Sequence, residues 1–316
     1  MTGMRPVTDD GQGPSGVAPA DRPTPLDTVP VATVVVPVHN GGATLAAQLD
    51  ALTAQLGETD FEVVVVDHNS TDDTAAVAAS YAARRPQVRV VTAREGASVA
   101  YARNAGLREA RAPRVLFCDA DDVVRPGWVA AMVAALDHDD IVGGRIDVTR
   151  INAPEVQSWT GHPPVDGLAM TMKYRPHATG ANLGARTAAL RDLGGFDEAF
   201  VGGHEEVDLA WRAIDRGLTL GFAADAVVDY RLRDTPREVF RQRFHYGRTY
   251  AQLYSRFRDA PIPRSSVKHE VKVIALFLAE APREWRDGHL PRWLAGLGWT
   301  LGRYRGDLTY RVRCPL

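Results

Sequence analysis

Two groups of carboxylates have the spacing for chemistry. In Val115-Leu116-Phe117-Cys118-Asp119-Ala120-Asp121-Asp122 a short apolar run ends in three acids. Carboxylates crowded at the end of a buried strand repel one another and are costly to bury unpaired. A divalent cation offsets that cost. Hard oxygen donors on Asp119 and Asp121 suit Mg²⁺ or Mn²⁺, which fill their other positions with water and substrate phosphates. The tripeptide Asp-x-Asp is also common, and Asp121 or Asp122 would serve equally as a helix N-cap. The second group is Gly202-Gly203-His204-Glu205-Glu206-Val207-Asp208, opening a helix whose apolar face is Val207, Leu209, Trp211 and Ile214. The helix dipole favours acids in a first turn by about 0.3–1 kcal/mol, which could by itself account for Asp208. A carboxylate at Glu205 or Glu206 could instead take a proton from an acceptor hydroxyl. The two glycines before it allow a close approach of backbone to ligand. One acidic site neutralising a phosphate leaving group through a metal, and another activating a hydroxyl, are the two tasks of displacing a nucleotide from a sugar with inversion.

The elements that must position these acids alternate in type. Residues 31–38, 61–66, 87–91, 115–118 and 140–148 read as strands, the first an apolar run suited to burial on both faces. Helical spacing covers 44–56, 74–85, 98–110 and 127–136, then about 187–193 and a helix from the second acidic group to Arg216, closed by Gly217. This alternation predicts an α/β fold with a mostly parallel central sheet flanked by helices. Ligands in such sheets sit outside the carboxyl ends of the strands. The polar groups His39-Asn40, Asp67 to Asp73 and Asp119 to Asp122 all follow strands. From 149 to 179 periodicity is lost, and an irregular segment of that length is often functional. No GxGxxG follows the first strand and no GxxxxGK[ST] occurs, which disfavours a dinucleotide dehydrogenase or P-loop enzyme.

Composition narrows the class. The chain has 316 residues, 45% hydrophobic and 24% charged, as in globular proteins that stay in solution. Its net charge of −2 conceals an asymmetry: residues 231–316 carry 18 Lys/Arg against 8 Asp/Glu, leaving 19 against 31 for residues 1–230. Two cysteines, Cys118 and Cys314, exclude a disulfide framework and a cysteine zinc site, and suit a reducing cytosol. Residues 1–30 contain six prolines and no apolar signal-like run, so they are expected to form a disordered leader. No apolar run is long enough to span a membrane. The expectation is a cytoplasmic protein, free or peripheral on the inner face of the membrane.

Six fragments, in order, carry a family resemblance: VVVPVHN at 34–40, VVVVDHNSTDDT at 63–74, ASVAYARNAGL at 97–107, VLFCDADD at 115–122, GANLGAR at 180–186 and LGGFDEAFVGGHEEVDLAWRA at 193–213. Over about residues 31–248 the chain resembles the inverting glycosyltransferases of family 2, which have the GT-A (Rossmann-like) fold. The resemblance implies a nucleotide-diphosphate sugar donor and a sugar, lipid-linked or small-molecule acceptor. It places Pro37, His39 and Asn40 at the nucleotide, and Asp67 on its base. It puts Arg103 and Asn104 along the donor site, where a solvated helix face is the alternative. Asp119 falls near the ribose, followed by Ala120, and Asp121 on the metal with Asp119 beside it. It makes Glu206 the general base, with Glu205 a rival, and assigns Asn182, Asp197 and His204 to the acceptor side. His204 would otherwise be a turn residue. Three departures stand out. A glycine turn is replaced by His68-Asn69-Ser70. The base position holds glutamate rather than aspartate. Asp229 or Tyr230 stands where many relatives have a metal-binding histidine.

The implied organisation is the leader at 1–30, a GT-A domain at 31–230 and a basic helical C-terminal extension at 231–316. The GT-A domain would divide into a nucleotide-binding half at 31–125 and an acceptor half at 126–230. Within the extension, 236–257 reads as a basic amphipathic helix, and relatives carry a segment similar to Arg241-Gln242-Arg243-Phe244-His245-Tyr246-Gly247-Arg248. Apolar stretches at 271–278 and 293–301 lie between arginines. They suit helices packed on the core or on a second subunit of a homo-oligomer, or attachment to an anionic membrane. No nucleic-acid module accompanies the basic residues, and no nucleic-acid partner is expected. Two rivals to the transferase are weighed. A sugar-1-phosphate nucleotidyltransferase would want a basic residue in the loop after the first strand, and His39-Asn40-Gly41-Gly42 has none. A non-catalytic nucleotide-sugar-binding protein would not need acids at all three positions.

Overall fold

The computed structural model describes residues 29–96, 98–160, 165–262 and 266–315, so the expected leader, apart from Val29 and Pro30, lies outside the described residues. The first half alternates β1 Ala32–Val38, α1 Gly42–Thr53, β2 Phe61–Asp67, α2 Thr74–Arg84, β3 Val88–Thr92, α3 Val99–Glu109 and β4 Arg114–Cys118. There follow β5 Val123–Val124, α4 Trp128–Ala135, β6 Ile141–Asp147, α5 Pro154–Thr160, β7 Ala169–Thr171, β8 Arg175–His177, β9 Asn182–Arg186, α6 Thr187–Asp192, α7 Glu205–Asp215 and β10 Leu220–Asp229. Three helices complete the described chain: α8 Pro236–Arg256, α9 Val267–Arg286 and α10 Leu290–Tyr310.

Eight strands form one sheet in the order β3-β2-β1-β4-β9-β6-β10-β5. β1 pairs in parallel with β2 and β4, β2 with β3, and β6 with β10. β9 runs antiparallel between β4 and β6, and β5 antiparallel to β10. Alternate residues of the apolar strands feed two cores. Val34, Val36 and Val63 join Leu45 and Leu49 on one face, while Val35, Val64 and Phe117 join Ala102 and Leu183 on the other. Burial on both faces explains why β1 and β2 read as continuous apolar runs. Because β1, β2 and β4 are parallel, the polar turns that end them gather at one edge.

Two features differ from the sequence expectation. The segment 149–179 is not structureless: it holds α5 and the β7–β8 hairpin, whose turn residues Met172 and Lys173 have φ of 56° and 50°. That is the pattern of a type I′ turn without the Asn-Gly or Gly-Gly that usually announces one. The stretch 182–186, expected only as a lead into a helix, is a buried antiparallel strand too short for a periodic signal.

α8 and α10 help build a third core, with Tyr250, Leu253 and Tyr254 of α8 against Phe200 and Trp211, and Trp299 and Tyr310 of α10 packed on it. α8 and α10 touch backbone to backbone. A side chain at Gly302 would run into the Phe244 carbonyl oxygen, and one at Gly247 into that of Trp299.

Candidate active site

The polar turns open into a cleft of about 840 Å³. Its walls are Pro37, His39 and Asn40 after β1; Arg103 of α3; Asp119, Ala120 and Asp121 after β4; and Gly202 to Glu206 before and in α7. Tyr230 to Arg233 after β10, Gln242, Arg243, His245 and Tyr246 of α8, and Trp299 of α10 close it.

The acidic turn is fixed from two sides. Gln48 of α1 donates to the Asp119 carbonyl (3.1 Å) and accepts the Val124 N–H (3.0 Å). Arg231 donates through Nε to the Asp121 carbonyl (2.8 Å) and through its backbone N–H to Asp122 Oδ1 (2.8 Å). Asp119, Asp121 and Asp122 each bring a carboxylate oxygen within 4.8 Å of the others. Asp122 is almost wholly buried, and its Oδ2 has no hydrogen-bond partner among the described residues. Burial, followed by the charges of Asp121 and Asp119, pushes the Asp122 carboxyl well above the usual range. Burial also raises Asp121, against the pull of Arg233, whose Nη1 lies 2.9 Å from Asp121 Oδ2. An orphaned oxygen in an all-carboxylate cluster matches the donor set of a hard divalent cation, and the residues fit such an ion.

Of the two candidates expected near that cluster, Asp229 is committed elsewhere. It takes Arg125 (2.6 and 3.0 Å) and lies 3.4 Å from Arg150. Tyr230 faces the cleft, hydrogen-bonded to Tyr246. The third acid of the cluster is Asp122, for which only a capping role was expected. Its position beside two other acids was the available signal.

Arg103 joins the two acidic groups. Its Nη1 donates to Glu205 Oε1 (2.6 Å) and its Nη2 to Asp119 Oδ1 (2.9 Å), with the guanidinium carbon 5.6 Å from the centre of the Phe196 ring. Burial alone would lower the pKa of Arg103; Asp119 and Glu205 more than offset it. Glu205 is buried in this bridge, whereas Glu206 is partly open to the cleft and makes no ion pair among the described residues. Burial raises both carboxyls, and Glu206 adds to the rise at Glu205.

The turn before α7 has three consecutive residues at positive φ: Gly202 (99°), Gly203 (123°) and His204 (69°). Side chains at the two glycines would lie 2.8 Å from His245 Cβ and 2.7 Å from the Tyr246 ring. The glycines thus admit α8, and both also line the cleft. His204 lines the cleft, bonded through Nδ1 to Thr249 Oγ1 (2.8 Å), and burial pushes its imidazole down to about 3.

The loops after β1 and β2 are laced together. Asn40 accepts the Thr71 N–H (2.8 Å) and donates its own N–H to Ser70 Oγ (3.0 Å), and His39 Nδ1 bonds the His68 carbonyl (2.7 Å). Asp67 ends β2 behind this rim and accepts the Ser70 N–H (3.3 Å). The missing glycine is replaced by Asn69 at φ 56°, a conformation asparagine tolerates better than most residues.

Besides Asp67, three expected site residues do not line the cleft. Asn104 binds Phe196 through its backbone N–H (2.9 Å) and carbonyl (2.8 Å), and the Glu198 side chain (2.9 Å). Asn182 is fully buried, accepting from Trp128 Nε1 and donating to the carbonyls of Arg145 and Ala226, each at 2.9 Å. Asp197 pairs with Arg256 and accepts the Ala199 N–H. These amides and acids fix loops, and none of the three lines the cleft. Asp208 likewise is held by Arg212 (2.8 Å) and Arg256 (2.9 Å). Gln242, Arg243 and Tyr246 come from the segment similar to one in relatives, for which a place over the acceptor side or at the diphosphate was an expectation, whereas Arg231, Arg233 and Trp299 enter the cleft without having been assigned to it from sequence.

Residues 33–194 match the family model described as glycosyl transferase family 2. Glycosyltransferase AglE of Haloferax volcanii is 26% identical over 236 residues, covering 72% of this chain and 75% of that protein. Validoxylamine A glucosyltransferase of Streptomyces hygroscopicus subsp. limoneus is 30% identical over 248 residues, covering 68% and 54%. Pre-mycofactocin glycosyltransferase of Mycobacterium tuberculosis is 28% identical over 244 residues, covering 73% and 49%, so the chain spans about half the length of these last two. Among solved structures, a mannosyltransferase from Pyrobaculum calidifontis in complex with GDP-Man and Mn²⁺ superposes with a TM-score of 0.55 at 18% identity, over 88% of both chains. At that identity the likeness shows the fold.

Proposed function

The chain belongs to glycosyltransferase family 2 and has the GT-A fold, and on that premise we propose that it transfers a sugar from a nucleotide-diphosphate donor to an acceptor hydroxyl with inversion, Glu206 acting as general base. One observation carries the reading: a cation-fit acidic cluster and the raised carboxylate of Glu206, which has no ion pair among the described residues, line the same cleft, and Arg103 joins Asp119 of the cluster to the neighbouring Glu205. Glu206 is favoured over Glu205 because the latter is buried against Arg103. Asp119, Asp121 and Asp122 would hold Mg²⁺ or Mn²⁺, which when bound neutralises charge on the departing nucleoside diphosphate. Arg233 would leave Asp121 to meet the donor's phosphates, for which a guanidinium is suited. The laced loops after β1 and β2 would receive the nucleotide, with Asp67 toward its base. As the acceptor oxygen attacks the anomeric carbon, its proton passes to Glu206 and the bond to the diphosphate oxygen breaks. A base held above the ordinary glutamate range by burial takes the acceptor's proton more readily than a solvated glutamate would.

The test is transfer from a panel of UDP-, GDP- and dTDP-sugars, chosen by thermal shift with Mn²⁺. Glu206→Gln should lower kcat by about 10²–10⁴-fold while leaving the donor-induced shift in place. Asp121→Asn should lose the Mn²⁺-dependent part of that shift. Wild-type transfer by both variants would sink the assignment.

A further inference from the structure

We propose that α9 docks the protein on an anionic lipid bilayer, lying along the surface. Val267, Val271, Ile274, Leu278 and Trp285 recur at intervals of three, four and seven residues, which sets them on one stripe of a helix. The stripe faces solvent: Val271 is 60% exposed, Leu278 54% and Trp285 73%. Lys268, Lys272, Arg283 and Arg286 follow it on one flank, all exposed, with Glu280 on the far side of the helix. Arg283 shares Asp287 at 3.5 Å, whereas Lys268, Lys272 and Arg286 have no ion pair among the described residues. A different face holds the helix to the protein. Phe277 stacks on Trp293 of α10 at 5.1 Å and accepts from Trp293 Nε1 at its carbonyl (3.1 Å), and Glu270 lies 3.6 Å from Arg313. The docking helix is thereby tied to the cleft, because α10 also supplies Trp299.

An apolar stripe with a basic flank and a terminal tryptophan is the arrangement of a helix that lies in a bilayer interface. No described helix is long and apolar enough to cross a membrane. Charge complementarity selects the bilayer over a second copy of the chain. Antiparallel pairing of the stripe with that of a second copy would set the cationic flank of one helix against that of the other. Anionic headgroups would neutralise it instead.

Flotation of the full chain with vesicles tests this. The protein should float with phosphatidylcholine containing about one-third phosphatidylglycerol at low salt, and not with phosphatidylcholine alone. Lys268→Gln with Lys272→Gln should weaken partitioning about 25-fold, roughly fivefold per charge. Val271→Asp with Leu278→Asp should abolish flotation, yet leave thermal unfolding and Mn²⁺-dependent donor binding unchanged because both positions are exposed. No flotation of the wild type with the anionic vesicles, or equal flotation of the aspartate variant, overturns the proposal. So does self-association in sedimentation velocity that disappears in the aspartate variant, which would assign the stripe to a second copy.

Discussion

Replacing Arg103 by methionine removes the cation that, among the described residues, spans Glu205 and Asp119. The Arg103 and Glu205 side chains are only 3% and 4% exposed, and Asp119 is 28% exposed. Breaking a buried pair by removing one partner costs about 3–5 kcal/mol, because the other charge is left uncompensated. The Asp119 end, partly solvated, adds no more than about 1 kcal/mol. Unfolding entropy of about 2.1 cal/mol/K per residue over roughly 280 residues gives about 0.6 kcal/mol per degree, so the Tm should fall by about 5–8 °C. The deficit should depend on pH. The Glu205 carboxyl is already raised to about 7 by burial and Glu206, and losing Arg103 raises it further. A carboxyl whose folded value exceeds its unfolded value of about 4.3 leaves stability intact below that pH and withdraws it as pH rises through the folded value. Scanning calorimetry at pH 5 and pH 8 should therefore show the larger Tm loss at pH 8. In a Glu205→Gln background, where no buried charge is stranded, the loss should shrink to about 2 °C or less. A loss equal at both pH values and undiminished in that background would refute the clamp.

Asp122→Asn should raise the Tm of the metal-free protein at pH 8, with the gain fading toward pH 4, because the folded Asp122 carboxyl is held above its ordinary value; the same variant should lose the Mn²⁺-induced thermal shift, and a wild-type shift would remove Asp122 from the ion site. Asn69→Ala should cost about 1 kcal/mol in urea unfolding, and Asn69→Gly far less, if the left-handed turn replaces the missing glycine; equal costs would argue against it. Gly302→Val should cost about 3 kcal/mol or more and lower transfer more than donor binding, measured by kcat against the donor-induced thermal shift, because the new side chain meets the Phe244 carbonyl.

Periodicity was enough for the first four strands and the helices between them, because β1, β2 and β4 are apolar runs buried on both faces and β3 at the sheet edge carries its own short apolar run. It failed where a tertiary partner decides. β9 is five residues with a buried glycine at its centre, and it is a strand because the edges of β4 and β6 pair with it. The site residues divided along the same line. Acids at strand ends could be read directly, since parallel strands bring their carboxyl ends together. Residues chosen from conspicuous motifs, Asn104, Asn182 and Asp197, turned out to satisfy backbone groups and an arginine inside the fold. A polar side chain in a recurring motif can hold a loop as readily as a ligand, and only its partners tell the two apart.

α8 and α10 are structurally part of the cleft. Glu206 follows a turn that needs left-handed backbone at Gly202, Gly203 and His204, and that turn is held by His245, Tyr246 and Thr249 of α8. α8 in turn sits at a distance from α10 set by backbone contact at Gly247 and Gly302. The acidic turn hangs instead on α1 and on the segment just after β10. The two acidic groups are therefore positioned by different parts of the chain, and Arg103 is where their positions are reconciled, one guanidinium nitrogen on each. Under the proposed reaction, a lesion in the C-terminal helices would displace the base and leave the cation cluster in place, so loss of transfer with retained metal and donor binding is the signature of damage on that side.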